Sequence, residues 1–382
     1  MSHRVRNRVS GRRVCFVTGT RAEFGLMRRT LAAIDAAVGL KLQLIVTGTH
    51  LDPACGQTID EIRQEKFKID AVVDWDAKAK SIAGPTGLAM GRLAGEFDRL
   101  KSEVVMVVGD RVEAFAAAVA GSLSGRVVVH IHGGERATGQ VDDTLRHAIS
   151  RLSHVHLCAT SEARRRLIRT GEDAWRVTKV GAPGLDGIRQ DAIEPTLPVA
   201  TNLEGKRIAF LMHPWVSDDT WNRRFASELL AGLAKLDCRL VALMPNGDPG
   251  SHGIRLALQS AAKKDQITLV THLNRAEFLG LVRGAAVLVG NSSSGIIEAA
   301  SFGTRVIDIG PRQFGRFHGA NVTRVEADVG KVVAAVRKSL GGVPIKLRMV
   351  NPYGDGRTAA RVVKVLRELT IGPELLSKTI AY

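Results

Sequence analysis

The feature that most constrains this chain is an alternation met twice over. Short β-branched runs are separated by stretches of amphipathic helical spacing, the pattern of a parallel sheet covered on both faces. The first series of runs covers 14–18, 42–47, 104–108, 127–131, 156–160 and 176–180, with helical spacing at 26–37, 112–122 and 144–152. The second covers 207–212, 240–244, 267–270, 286–289 and 305–309. Two doubly wound α/β domains are expected, a count that suits 382 residues. The boundaries read as a basic arm 1–12, an N-terminal Rossmann-like domain 13–186, a linker 187–205, and a C-terminal Rossmann-like, nucleotide-binding domain 206–352. After the turn-like Asn351-Pro352-Tyr353-Gly354, a helix over 356–371 is predicted to cross back to the first domain.

Composition removes several function classes. With 45% apolar and 24% charged residues the chain can bury two cores. At 4% aromatic it lacks a stacking platform for single-stranded nucleic acid. Cys15, Cys55, Cys158 and Cys238 stand far apart with no Cys-x-x-Cys pair, so neither a disulfide framework nor a zinc knuckle is indicated, and a reducing, cytoplasmic setting fits. The formal charge of +16 is partly local, because Arg4, Arg6, Arg8, Arg12 and Arg13 fall in thirteen residues that contain no acid. That stretch reads as a mobile, solvated arm. Arg12-Arg13 imitates a twin-Arg export signal, but Arg21 and Glu23 interrupt the apolar stretch such a signal needs. No apolar run approaches the ~20 residues of a membrane span. A soluble protein with neither nucleic acid nor membrane as partner is expected.

Ligands of open α/β sheets bind outside the carboxyl ends of the strands, so the strand-end loops carry the information, and two facing domains would form a cleft there. In the first half these loops hold Gly19-Thr20-Arg21-Ala22-Glu23, Gly48-Thr49-His50, Gly109-Asp110-Arg111 and His132-Gly133-Gly134-Glu135, then Asp142 to Arg146. In the second they hold His213-Pro214, Pro245-Asn246-Gly247-Asp248 and Gly290-Asn291-Ser292-Ser293-Ser294-Gly295. Small residues between a strand and a helix let backbone N–H groups approach an anion, so Ser292, Ser293 and Ser294 are read as a phosphate site. Glu298, one turn into the following helix, is placed for a ribose diol, and Arg312 for the phosphate. Plain helix capping is the alternative for the serines. Neither a P-loop nor a Gly-x-Gly-x-x-Gly fingerprint is present.

Arg21 and Arg111 offer planar forks for a diphosphate, or ion pairs with Glu23 and Asp110. Asp110, Glu135 and Asp142 form a carboxylate set suited to acid–base work. Asp142 can instead be an N-cap with Arg146 as its i+4 partner. His130 and His132 alternate on a strand and cannot share one metal, and no metal or cofactor is required. His147, His154 and His156 read as surface residues.

The strings GTRAEFGL, VTGTHLDPACGQTIDEI, GDRVEAFAAA, HIHGGE followed by DDTLRHAISRLSH, and GNSSSGIIEAASFGT followed by GPRQFGR resemble the hydrolysing UDP-N-acetylglucosamine 2-epimerases, over roughly residues 13 to 370. The resemblance implies a GT-B-like pair of Rossmann-type domains. It also implies release of nucleoside diphosphate and free N-acetylmannosamine toward sialic acids, or action on UDP- or GDP-linked diacetamido sugars toward legionaminic acid, usually as a homo-oligomer (dimer or tetramer). By resemblance, Arg21, Arg111, His213, Asn246, Ser292, Ser293, Glu298 and Arg312 contact nucleotide or phosphate. Asp110, Asp142, Arg146 and His213 serve the chemistry or its vicinity, and His50 lies near the sugar. Some relatives carry Glu where this chain has His132, so either His132 or Glu135 takes that role. Non-hydrolysing relatives typically have Pro where this chain has Ala22. A non-hydrolysing epimerase, a GT-B glycosyltransferase and, remotely, a basic nucleic-acid-binding protein are the competing readings.

Overall fold

The computed structural model describes residues 11–53, 56–75, 81–136, 141–194, 205–245, 247–271, 273–342 and 350–381. Among them, those of Met1–Glu135, Val141–Asp186 and Gly356–Tyr382 form one compact unit and those of Arg136–Gln140 and Gly187–Asp355 a second. Unit 1 is built on a parallel sheet of β1 Arg12–Thr18, β2 Leu40–Thr47, β3 Ala71–Val73, β4 Val104–Val108, β5 Val127–Ile131, β6 Val155–Cys158 and β7 Val177–Lys179. Its order is β3-β2-β1-β4-β5-β6-β7. Unit 2 holds a parallel sheet of β8 Arg207–Leu211, β9 Arg239–Leu243, β10 Thr268–Val270, β11 Val287–Gly290, β12 Arg305–Ile309 and β13 Val322–Val325, ordered β10-β9-β8-β11-β12-β13. Each sheet therefore reverses its strand order once, between β1 and β4 in unit 1 and between β8 and β11 in unit 2. Such a reversal leaves a crevice at the strands' carboxyl ends.

The central strands are buried along their whole length, as sheets covered on both faces require. Alternate faces of the unit 1 sheet feed two cores. Phe16, Leu44, Met106 and Val129 pack on one side; Cys15, Ile45, Val105 and Val128 pack on the other. Phe210, Leu240, Val289 and Ile307 lie in the core of unit 2.

Several local expectations are corrected. Arg12, assigned to the flexible arm, opens β1 in register with Leu40, and its guanidinium donates to the carbonyls of Leu366 and Leu369. Arg13 pairs with Glu103 at 3.2 Å. The rest of the arm, 1–10, lies outside the described residues. Residues 187–194 of the expected linker pack on unit 2, where Arg207 pairs with Glu194 and the Ile193 amide donates to Ala276. The strands β3 and β13 were not anticipated. His156 and His154 are interior rather than surface residues. His156 Nε2 lies 2.8 Å from Glu172, whose carboxylate also receives Lys378 at 2.7 Å, fastening the C-terminal segment to unit 1.

The helix Thr358–Glu368 buries Val362 and Leu366 in the unit 1 core. Asp186 caps it across the chain, accepting from the Thr358 and Ala359 amides at 2.8 and 2.5 Å. Immediately before it, the turn at Asn351 is anchored in unit 2 by bonds from Asn351 to Ile297 and Ser301, and by Tyr353 donating to Phe317.

Candidate active site

In unit 1 the strand-order reversal brings the Gly19–Glu23 loop after β1 beside the Gly109–Arg111 loop after β4. The helix Arg21–Asp35 starts with a capping box: Thr20 accepts from the Glu23 amide, and the Glu23 carboxylate accepts from the Gly19 and Thr20 amides at 2.8 and 3.1 Å. Glu23 is thus occupied, and Arg21 pairs with Glu61 at 2.9 Å instead. Burial and the charge of Glu113 push the Glu23 carboxyl up to about 8.

Arg146 organises the acidic side. Its helix, Val141–Leu152, starts one residue before Asp142, so Asp142 lies inside the first turn and is not the N-cap. Arg146 does not pair with Asp142 in the i+4 manner. Its Nη2 donates to the Asp110 carboxylate and its Nη1 to the His132 carbonyl at 3.0 Å. One buried guanidinium therefore fixes both the β4 and β5 loops. Asp110 and Asp142 lie close enough to Arg111 for their charges to act on it. The structure thus gathers Asp110, Arg111, Asp142, Arg146 and the His132 backbone into one group.

His132 lies beyond the end of β5 with φ of +64°, so the strand-alternation argument does not apply to it. Left-handed backbone at a residue with a bulky side chain costs energy and is found where geometry is over-determined. His130 stays on the strand, fully buried, its Nε2 2.7 Å from the Gly109 carbonyl and its Nδ1 3.1 Å from Ser150. It braces the turn that presents Asp110. Burial holds its pKa well below the ordinary value, so it is neutral. Glu135 is buried as well, with its charge bearing on Cys158 of β6. His50 is wholly buried, Nε2 3.0 Å from Thr18 Oγ1 and Nδ1 2.8 Å from Thr58 Oγ1. Both ring nitrogens thus have hydroxyl partners within the loops after β1 and β2.

In unit 2 the equivalent reversal joins the His213 loop to the serine loop. Asn291 is the pin: its Oδ1 accepts from the His213 amide at 2.7 Å and its Nδ2 donates to the His213 carbonyl at 2.8 Å. Gln313 donates to the Asn291 carbonyl, bringing in the Gly310–Arg312 turn. Ser292 is an N-cap, accepting from the Ser294 amide at 3.4 Å, and the Gly295 amide bonds to the Ser292 carbonyl. Among the described residues the Ser293 N–H has no hydrogen-bond partner. The helix is shorter than expected, Ser293–Ile297, and breaks at Glu298 before Ala299–Phe302. Glu298 sits at that break, nearly buried, paired with Arg275 at 2.8 Å. Arg312 faces Asp248 at 3.4 Å. Asn246 lies outside the described residues.

The model of the UDP-N-acetylglucosamine 2-epimerase family matches residues 32–367. The chain belongs to that family. It is 38% identical over 380 residues, 97% of its length and all of its counterpart's, to the UDP-N,N'-diacetylbacillosamine 2-epimerase (hydrolyzing) of Legionella pneumophila. A GDP/UDP-N,N'-diacetylbacillosamine 2-epimerase (hydrolyzing) of Campylobacter jejuni is 31% identical, with 86% and 88% of the two chains covered. The crystal structure of a Neisseria meningitidis UDP-GlcNAc 2-epimerase bound to UDP-GlcNAc has the same fold, with a TM-score of 0.77 at 17% identity over 93% and 99% of the chains. Two parallel-sheet α/β domains of GT-B type are therefore the fold, and the chain is an enzyme of the epimerase family.

Within this family framework, three residues matter that were not among the expected site residues. Asn291, His130 and Glu113 are fully or almost fully buried polar groups beside the loops. A polar residue in a strand-end string was the available signal for Asn291; the other two could only be found from what they touch. Among the described residues no group of three or more His, Cys, Asp or Glu is arranged to hold a metal ion, and no helix is long and apolar enough to cross a membrane.

Proposed function

We propose that the chain is a hydrolysing 2-epimerase acting on a UDP- or GDP-linked 2-acetamido or diacetamido sugar, releasing nucleoside diphosphate and the free 2-epimeric sugar in the cytoplasm, as a homo-oligomer. The observation that carries this reading is the group formed by Asp110, Arg111, Asp142 and Arg146 at the β1/β4 reversal. It supplies a carboxylate for proton work beside a cation for a leaving anion. The full-length relatedness to a protein named as hydrolysing supports the same reading.

The chemistry requires removal of the sugar C2 proton and expulsion of the diphosphate from C1, giving an unsaturated 2-acetamidoglucal. Water then adds at C1 while C2 is protonated from the other face. The C2 proton is a poor acid, so stabilising the departing diphosphate carries much of the barrier. Asp110, positioned by Arg146, is assigned the proton transfer, with Asp142 as its counterpart and His132 or Glu135 as the further acid–base group. Arg21, Arg111 and Arg312 are assigned to the diphosphate together with the serine loop Ser292, Ser293 and Ser294. His213 and Glu298 are assigned to the nucleotide side, with Asn246 beside them.

The test is incubation in deuterated water with a panel of UDP- and GDP-linked HexNAc and diacetamido sugars, without acceptor. Free sugar carrying deuterium at C2, with an equivalent of free nucleotide, is expected. A sugar still linked to nucleotide would mean a non-hydrolysing epimerase. A requirement for an acceptor would mean a glycosyltransferase, and retention of the original C2 hydrogen would exclude the elimination route.

A further inference from the structure

The helix Val112–Leu123 is rich in alanine, yet its second residue, Glu113, turns a carboxylate inward until only 2% of the side chain is exposed. A Glu in a helix's first turn gains from the dipole while remaining in water, so capping does not explain this burial. Room for it comes from two glycines. A Cβ on Gly19, after β1, would lie 2.4 Å from Glu113 Cγ, and one on Gly48, after β2, 2.7 Å from Glu113 Oε1. The loop ends of three strands thus converge on one acid. A buried carboxylate is costly unless a cation answers it. The cation is Arg111, whose Nε stands 3.4 Å from Glu113 Oε2 while its side chain remains 46% exposed.

We propose that Glu113 is a positioning residue for Arg111: its carboxylate attracts the Nε edge of the guanidinium as an ion pair, without a hydrogen bond, and so turns both terminal nitrogens toward the diphosphate of the nucleotide sugar. The arrangement suits Arg alone, because only a planar fork can engage an internal acid on one edge and an anion on the other. Glu23, packed against the same glycine, supports it. Burial and the neighbouring Glu113 push its carboxyl up, and the charges of both acids act on Arg111. This inference deepens the proposed function and rests on it.

The experiment is UDP and GDP titration calorimetry on the full chain and on the variants Glu113→Gln, Arg111→Met and the double variant, with melting temperatures recorded. Glu113→Gln preserves shape and removes charge. It is expected to weaken UDP or GDP binding about tenfold, in line with a charge-assisted contact. Arg111→Met should weaken it at least as much, and the double variant no more than Arg111→Met alone. A purely structural Glu113 would instead give multiplying effects in the double variant. Those, or a Glu113→Gln affinity within twofold of the parent while Arg111→Met is impaired, overturn the inference. Should Glu113→Gln fail to fold, Glu113→Asp carries the same cycle, its shortened carboxylate no longer reaching Nε. An unaltered chain that binds neither nucleotide overturns the functional reading itself, an outcome distinct from loss of coupling alone.

Discussion

At the scale of single residues, the chemistry divides between groups that meet substrate and groups that hold them. Asp110 is the side chain assigned the proton, so Asp110→Asn should abolish turnover by at least about a thousandfold, a loss typical of removing a general base's charge. UDP affinity should stay within a few-fold, since the carboxylate does not carry the diphosphate. Parallel loss of both, by steady-state kinetics and calorimetry, would make Asp110 a binding or folding residue. Glu23 provides a different kind of prediction. Titrating near 8 in the fold against an ordinary 4.5, it keeps a proton the unfolded chain has released. Its contribution to stability is whole below 4.5 and is lost as pH rises toward 8. Glu23→Gln keeps an acceptor for the Gly19 and Thr20 amides, so its melting temperature should rise relative to the parent by at least about 3 °C more at pH 8 than at pH 5. An equal difference at both pH values refutes the assignment.

At the scale of elements, the loops at the two strand reversals are held by backbone geometry more than by side-chain variety. Gly290 has φ of +148°, and a Cβ there would lie 1.8 Å from the Leu211 carbonyl oxygen on the neighbouring strand. The next residue, Asn291, ties β11 to the His213 loop. Asn291→Leu keeps the volume but strands the His213 amide and carbonyl, and should cost about 2–4 kcal/mol in urea unfolding. A change under about 0.5 kcal/mol would show those groups find other partners. Element prediction was strongest where strands are buried on both faces, as at β4 and β5, because a continuous apolar run reports two-sided cover. It missed β3 and β13, each at one edge of its sheet, but found β7 and β10 at the opposite edges. Thr323 and Arg324 on β13 are exposed, leaving almost no apolar periodicity there to read.

At the scale of the whole molecule, the two units answer acid with opposite signs. In unit 1, His50 and His154 are pulled down to about 4 by burial, and His130 and His156 are lowered for the same leading reason. Each ring binds its proton less readily in the fold than in the unfolded chain, so their contribution is present above about 6.5 and is lost as pH falls, for His50 and His154 toward 4. Glu172, its carboxyl lowered against burial by His156 and Lys378, acts in the same direction as the histidines, and Glu23 works the other way. In unit 2, burial raises Asp308 to about 6, so its contribution grows as pH falls below 6. Hydrogen exchange followed from pH 7 to pH 4.5 should show protection falling in β4 to β6 before β8 to β12. Simultaneous loss, or earlier loss in unit 2, would count against these burial effects governing acid stability.

The amino-acid sequence determined the α/β class, the strand-end positions of Arg21, Asp110, Arg111, His213 and Ser292, and the family, because apolar periodicity and loop composition are local and survive in one dimension. Only the tertiary structure decided which charges meet. It gave Arg146 to Asp110 rather than to Asp142, Arg21 to Glu61, Glu298 to Arg275, and withdrew His50 into the interior. Those pairings join groups 23 to 40 positions apart in the chain, and the spacing of residues holds no record of which side chain burial will force to find a partner.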